Sequence, residues 1–403
     1  MYINLKIFSL RRGLSFAMTL FLVGEALVGF GQGRWSRKKD FAGPLQTTTI
    51  SFVINDQAYV GLGDGDFSER QQGIWAYNPA RDEWMQKADF GGGVRTGAVA
   101  FSVNKLGYVG LGFSASSYEK DWWQYDPTTN EWSQKNDFPA VARAGAISFV
   151  LAGKAYLGTG FDGQNYLNDL WEYDATSDRW IARANLPNGE RSNAVSFALR
   201  DKGYIATGNL GFLGFKDDLW EYDPELDQWT RKADFPGGER ISAAAFVIDG
   251  RGYVGTGSFS NDLWEYNAEL DNWVAKASID SDGLSQAIGF TINNRGYIAL
   301  GISSNLEKQV WEFTNAMSES FEQGIQMISD RNRNTQLKLD LPEHGEFQVQ
   351  VYDLQGRLLL RRKFTKNTSQ HNELLPTVAY GAQILVIQVV FEDKKLTRRI
   401  YHP

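Results

Sequence analysis

Short apolar runs, four to six residues long and separated by polar turns, recur along most of this chain. In residues 143–180, Ala146 to Val150 is one such run, and Ala152-Gly153 supplies a hairpin turn. Ala155 to Gly160 is a second run. After a variable loop comes Leu170-Trp171-Glu172-Tyr173, whose alternation suits a half-buried strand. Asp174 to Asp178 then turns into a strand carrying Trp180. The pattern predicts four short strands, which we call a, b, c and d.

The unit repeats. Trp75, Trp123, Trp171, Trp220, Trp264 and Trp311 mark strand c at spacings of 48, 48, 49, 44 and 47. Trp35, Trp84, Trp132, Trp180, Trp229 and Trp273 mark strand d, and together the two sets hold twelve of the thirteen tryptophans. Strand b carries Tyr-x-Gly/Ala-x-Gly six times, from Tyr59–Gly63 to Tyr297–Gly301. Units of 44–49 residues with four strands predict the blades of a propeller. The glycines suit crowded inner strands, and the Trp and Tyr suit large plates between blades. The chain opens on a lone strand-d tryptophan, Trp35, and ends its repeats on a strand-c unit at Trp311 to Phe313. The first strand is therefore expected to complete the last blade, leaving no open edge.

The arrangement of Arg, an apolar strand, the Tyr–Gly strand, Asp/Asn-x-Trp-x-Tyr-Asp and a final Trp resembles the kelch repeat over about residues 34–314. It differs in having mostly Gly-x-Gly where kelch units have paired glycines. The resemblance implies an all-β, six-bladed kelch-type β-propeller closed by its N-terminal strand.

The ends of the chain read differently. Lys6, Arg11 and Arg12 precede an apolar stretch from Leu14 to Phe30, small residues follow at Gly29 and Gly31, and Arg34 to Asp40 is charged. That is the layout of a secretory signal peptide, residues 1–31. A membrane anchor is the alternative, but the stretch is short and interrupted by Glu25. The expected divisions are then a propeller over 32–314, a polar linker over 315–335 and a β-sandwich over 336–403. Strands are expected at 336–341, 347–354, 357–364, 383–391 and 396–401. The run Val349 to Arg357, the stretch Leu375 to Gly381 and the basic Arg398-Arg399 resemble the C-terminal sorting domain of the bacterial type IX secretion pathway. It departs in having Gln383 where that family commonly has Tyr, and in its trailing His402-Pro403. The resemblance implies a partner in the secretion machinery and a secreted or cell-surface protein carried across the outer membrane. An ordinary Ig-like accessory domain is the alternative.

Charge and composition narrow the function. The whole chain carries −7, the first 31 residues +2, and residues 324–403 hold twelve Lys/Arg against eight Asp/Glu. The middle is therefore strongly acidic and a poor partner for nucleic acid. With no Cys, and only His344, His371 and His402 near the C-terminus, the repeat region lacks the residues of thiol, His-dependent and most metal chemistry. A copper radical oxidase of the kelch type is excluded on the same count. Asp64-Gly65-Asp66 and Asp162-Gly163 lack the further carboxylates of a calcium loop. No cofactor is expected, and a monomer is.

Strand order puts the b–c and d–a connections on one face and the short hairpins on the other. The b–c loops are rich in aromatics: Phe67, Phe113, Tyr118, Trp122, Phe161, Tyr166, Phe212, Phe215 and Phe259. Arg95, Arg143, Arg191 and Arg240 join this face, each six residues before a strand-a Phe, with Gln46 and Leu284 in the first and last units. Glu190 and Glu239 precede two of these arginines, so Glu–Arg pairs are expected. The kelch resemblance implies arginines near the channel mouth, able to meet acidic ligands; equally, they serve as scaffold by bonding loop carbonyls. The candidate ligand site is Arg95, Arg143, Arg191, Arg240, Glu190, Glu239, Trp122, Tyr166 and Phe215. The expected function is an exported, non-catalytic propeller binding a glycan or a protein. The alternative is a kelch-type sugar mutarotase or epimerase using the Glu and Arg residues, and a purely structural surface protein is a third.

Overall fold

The computed structural model describes residues 33–315 except 66–68 and 188, together with most of 325–402. The proposed signal peptide lies outside the described residues. Between residues 34 and 314 the strands form six four-stranded antiparallel sheets. The first contains Ile50–Ile54, Gln57–Gly61, Ile74–Asn78 and Glu83–Gln86, paired in that order. The inner strands of the next five are Val99–Val103, Ile147–Leu151, Val195–Leu199, Ala244–Ile248 and Ile288–Ile292. Each packs on the inner strand before it, and the sixth packs on the first. The sheets thus form a closed β-propeller.

Alternation explains the inner layer. Strand a shows one face more buried than the other, as in Ile147–Leu151, and places Phe149 opposite Tyr156 of strand b. The two rings stack at 5.3 Å, and Tyr222 of the following sheet packs on Tyr156 at 5.5 Å. The stack needs room on the neighbouring strand b. A Cβ on Gly203 would lie 2.2 Å from the Phe149 ring, so glycine at that position admits the ring of the sheet before.

The outer layer is held by a repeated clamp. The strand-c tyrosine donates its hydroxyl to the residue closing the c–d turn, as Tyr222 does to Asp227 at 2.6 Å. The same Asp227 carboxylate accepts the backbone N–H of Ala184 in the preceding sheet, at 2.9 Å. The Ala184 carbonyl in turn accepts the Trp229 indole N–H at 2.8 Å. One residue at the end of strand d therefore gives its N–H and its C=O to the next sheet. Asp82, Asn130, Asp178 and Asp271 repeat the arrangement.

The sixth sheet is built from both ends of the ring. Arg34–Lys38 pairs antiparallel with Val310–Thr314, putting Trp35 opposite Phe313. Because the chain leaves this sheet after strand c, no c–d turn is there to supply the clamp carboxylate. The Trp35 indole N–H still donates to the Ala277 carbonyl at 2.8 Å.

The tail has strands at Ile325–Ser329, Thr335–Asp340 and Gln370–Leu375 in one sheet. Leu358–Lys366, Gly345–Tyr352, Gln383–Phe391 and Lys394–His402 form another, in that spatial order. Leu337, Leu339 and Leu375 of the first sheet share a core with Phe347, Val349, Val351, Ile387, Val389 and Phe391 of the second. Two strands escaped the sequence reading. Ile325–Ser329 falls in the stretch read as linker, where polar flanks hide its Ile-x-Met-Ile core, so a strand stands inside the expected linker. Gln370–Leu375 is largely polar, with His371 stacked on Phe364 at 4.7 Å.

Candidate functional site

The b–c and d–a connections meet on one face of the ring, around the mouth of its central channel. The four arginines lie beneath this face. Arg95, Arg143, Arg191 and Arg240 are all buried, between 0% and 4% exposed. Each guanidinium grips one aspartate with two N–H groups. Arg191 reaches Asp218 Oδ1 at 2.6 Å and Oδ2 at 2.9 Å, and Arg95, Arg143 and Arg240 hold Asp121, Asp169 and Asp262 in the same way. The Nη1 atoms also donate to the carbonyls of Leu111, Thr159, Thr207 and Thr256. Each aspartate accepts the strand-c indole N–H two residues on, from Trp123, Trp171, Trp220 and Trp264. Burial works to raise the Asp218 carboxyl, but hydrogen bonds and charge from Arg191, with the Trp220 N–H, outweigh it and hold the group below its ordinary value.

These are latches tying the d–a connection to strand c, with carbonyl bonds besides. The Glu–Arg pairs expected from adjacency are not formed among the described residues. Glu190 and Glu239 are exposed, because neighbouring side chains on extended backbone diverge and each Arg turns inward to its Asp. The aspartates open the repeat motif Asp/Asn-x-Trp-x-Tyr-Asp but were not read as the partners of the arginines, though a signal was present. They stand two before the strand-c Trp only in units that carry the Arg; the first and last units have Gly73 with Gln46, and Gln309 with Leu284.

Among the aromatics, Trp122 is not on the loop face. It opens strand c at the place taken by Leu170 and Leu219 in other units, is fully buried, and packs on Phe101 and Trp180 at 5.3 Å each. Having two adjacent tryptophans disguised its register. The true loop aromatics form a belt across sheets. Arg70 lies over Phe113 at 4.8 Å, Phe113 meets Tyr118 at 4.8 Å, Tyr118 meets Phe161 at 6.2 Å, and Phe161 meets Tyr166 at 4.8 Å. The Tyr166 hydroxyl accepts from Asn209 Nδ2 at 3.2 Å. Phe67 lies outside the described residues.

Arg70, Tyr118, Tyr166, Phe215 and Phe259 occupy one repeat position, five before the strand-c Trp. The first three are covered by the next unit's loop. Phe215 and Phe259 are 38% and 59% exposed, and Phe212 and Leu213, in a short 3-10 turn of the Phe215 loop, are exposed as well. The fifth unit has the shortest b–c loop, seven residues from Gly257 to Trp264 against twelve from Gly208 to Trp220.

At the channel mouth is a cavity of about 120 Å³, lined by Thr48, Thr49, Gly97, Gly145, Asn193, Ser242, Gln286 and neighbouring small residues. Its lining contains no charged side chain. The opposite face has a cavity of about 340 Å³ near the hairpins Leu199 to Lys202 and Asp249 to Arg251. There Lys202 pairs with Asp201 and Asp223, and Arg200 with Glu269.

Comparison with solved structures places this architecture. The structure of YjhT, a propeller of kelch type, is similar over 68% of this chain and 95% of its own, with a TM-score of 0.58 at 18% identity. No family model matches the sequence, and no curated protein does. In all, 486 chains of solved structures match, so the fold is a common one and does not choose among functions. The likeness is one of fold: the repeat region is a β-propeller.

Proposed function

We propose that the protein is an exported, six-bladed kelch propeller that binds a glycan on the loop face, without catalysing a reaction on it. The observation that carries this is the chemistry of the channel mouth. Thr48, Thr49, Asn193, Ser242 and Gln286 offer neutral donors and acceptors, and no acid or base lines the cavity. A neutral polyhydroxyl ligand matches such a lining, and exposed rings such as Phe215 and Phe259 suit the apolar face of a sugar. Acid–base work by Glu190, Glu239 and their neighbouring arginines fits less well. The arginines are each engaged by an aspartate, and neither glutamate lines the mouth.

Export rests on the N-terminal sequence and on the tail's resemblance to a type IX sorting domain, with an Ig-like accessory sandwich as the other reading. A glycan-array screen of the full chain without residues 1–31 tests the ligand. Selective binding is expected, weakened about tenfold or more in a Phe215→Ala, Phe259→Ala variant that melts like the parent. A blank array would reject the glycan reading and leave a protein partner to be sought by crosslinking at the cell surface.

A further inference from the structure

The channel mouth is rimmed by six residues at one repeat position: Thr48, Gly97, Gly145, Asn193, Ser242 and Gln286. All six have positive φ, between 50° and 63°. Five of the six possible links between successive members are made, head to tail, through the backbone. Gly145 N–H donates to the Gly97 carbonyl at 2.9 Å, Asn193 to Gly145 at 2.9 Å, Ser242 to Asn193 at 3.0 Å and Gln286 to Ser242 at 3.0 Å; Gly97 reaches Thr48 at 3.4 Å. The sixth link would run from Thr48 N–H to the Gln286 carbonyl. Among the described residues it is not made, and neither group has another hydrogen-bond partner. The Gln286 side chain bridges the seam instead, its Oε1 accepting from the Thr47 hydroxyl at 2.5 Å and the Thr48 hydroxyl at 3.1 Å. The adjacent Thr49 hydroxyl, which lines the same cavity, is also buried without a partner.

We infer that this seam is the anchor of the ligand, and that what it takes is a hydroxyl group, which completes the ring as its sixth link. The inference rests on the reading of the mouth as a glycan site. The unmade link leaves one N–H and one C=O at the seam, and a hydroxyl both accepts and donates, so one oxygen can serve both. An ether oxygen satisfies only the N–H, and an ammonium only the carbonyl. Thr48 and Gln286 are half-buried, and leaving such groups unpaired where water reaches them only in part is unfavourable, which gives the site its appetite. The cavity has the volume of about four waters. It admits the hydroxyl-bearing edge of a terminal sugar and not the whole ring, so the remainder would rest on the loops outside. The seam is where the two ends of the repeat array meet, so it is the one junction of six that differs.

Amide hydrogen exchange on the chain without residues 1–31 tests this. In the free protein, the Thr48 amide should exchange at least about tenfold faster than those of Gly145, Asn193, Ser242 and Gln286. Methyl β-D-glucopyranoside at tens of millimolar should slow Thr48 about fivefold or more and leave the other four unchanged. Tetrahydropyran, whose ether oxygen can accept from the N–H but leaves the carbonyl unpaired, should slow Thr48 about twofold or less. Thr48 as slow as the others in the free protein would overturn the inference, since the ring would then be closed. Equal slowing by tetrahydropyran would overturn it as well. If the array finds a glycan, and that glycan leaves Thr48 exchange unaltered, the seam fails while the face reading stands. A blank array with unaltered exchange removes both.

Discussion

At the scale of single residues, the arginines show how a repeated charge becomes scaffold. A guanidinium has five N–H donors in a fixed fork, and burial demands that they be used. Arg191 uses four of them, two on Asp218, one on the Thr207 carbonyl and one on the Gly189 carbonyl. Removing one partner strands the other, a loss of about 3–5 kcal/mol for a buried pair. Arg191→Ala is therefore expected to lower the unfolding free energy by about that much in urea titrations. Arg231→Ala, which breaks only the exposed pair with Asp234, should cost about 1 kcal/mol or less. Equal effects from the two would contradict the latch. Gly203→Ala tests the close approach in the inner layer. Its Cβ has to displace the buried Phe149 ring, and a loss of about 1–3 kcal/mol is expected. Gly153→Ala at an open hairpin has no atom to strike, so any loss there reports only its φ of 78°.

Among elements, the strand Arg34–Lys38 carries the most for its length. It closes the sixth sheet and brings Trp35 onto Phe313 at 5.0 Å and Phe246 at 6.2 Å. Deleting residues 34–41 exposes the edge of Val310–Thr314 and also removes Phe41, which packs on Trp84 at 4.9 Å. The truncated chain is expected to aggregate or lose cooperative unfolding. Trp35→Phe, which loses the bond to Ala277 and keeps a ring, should cost only about 1–2 kcal/mol. A truncated chain that melts like the parent would show that the ring does not depend on this closure. The closing strand was legible because the phase of the tryptophans is a property of side chains. So were the sheets, from alternation and from Tyr-x-Gly-x-Gly. The channel rim was not legible. Its six positions hold Thr, Gly, Gly, Asn, Ser and Gln, because the contacts are made by the backbone and only the φ is shared. Trp122 was misplaced for the opposite reason: its residue type drew attention while its register, one before the strand-c Trp, decided its place.

For the whole molecule, the buried and half-buried carboxylates between and within sheets set how the ring responds to acid. Burial favours the neutral form of Asp218, Glu172, Asp227 and Glu312, yet partners win in each case. Arg191 and Trp220 hold Asp218, while Lys154, Arg183 and Tyr156 hold Glu172. The Ala184 amide and Tyr222 hold Asp227, and Tyr297, Lys38 and Arg295 hold Glu312. All four groups lie below their ordinary values when folded. A depressed folded pKa means the unfolded chain binds the proton first, so each group's contribution is complete above the unfolded value, near 4. It is lost as the pH falls through the folded value. Because these groups lie in the third, fourth and sixth sheets of one closed ring, their losses should be felt together. The melting temperature is expected to be nearly flat from pH 7 to 5 and to fall steeply below pH 4. Asp218→Asn should lower the plateau and make the acid slope shallower, since one proton-linked group is gone. A melting temperature that holds or rises between pH 5 and 3 would mean that these carboxylates do not gain their charge-stabilising partners in the folded ring.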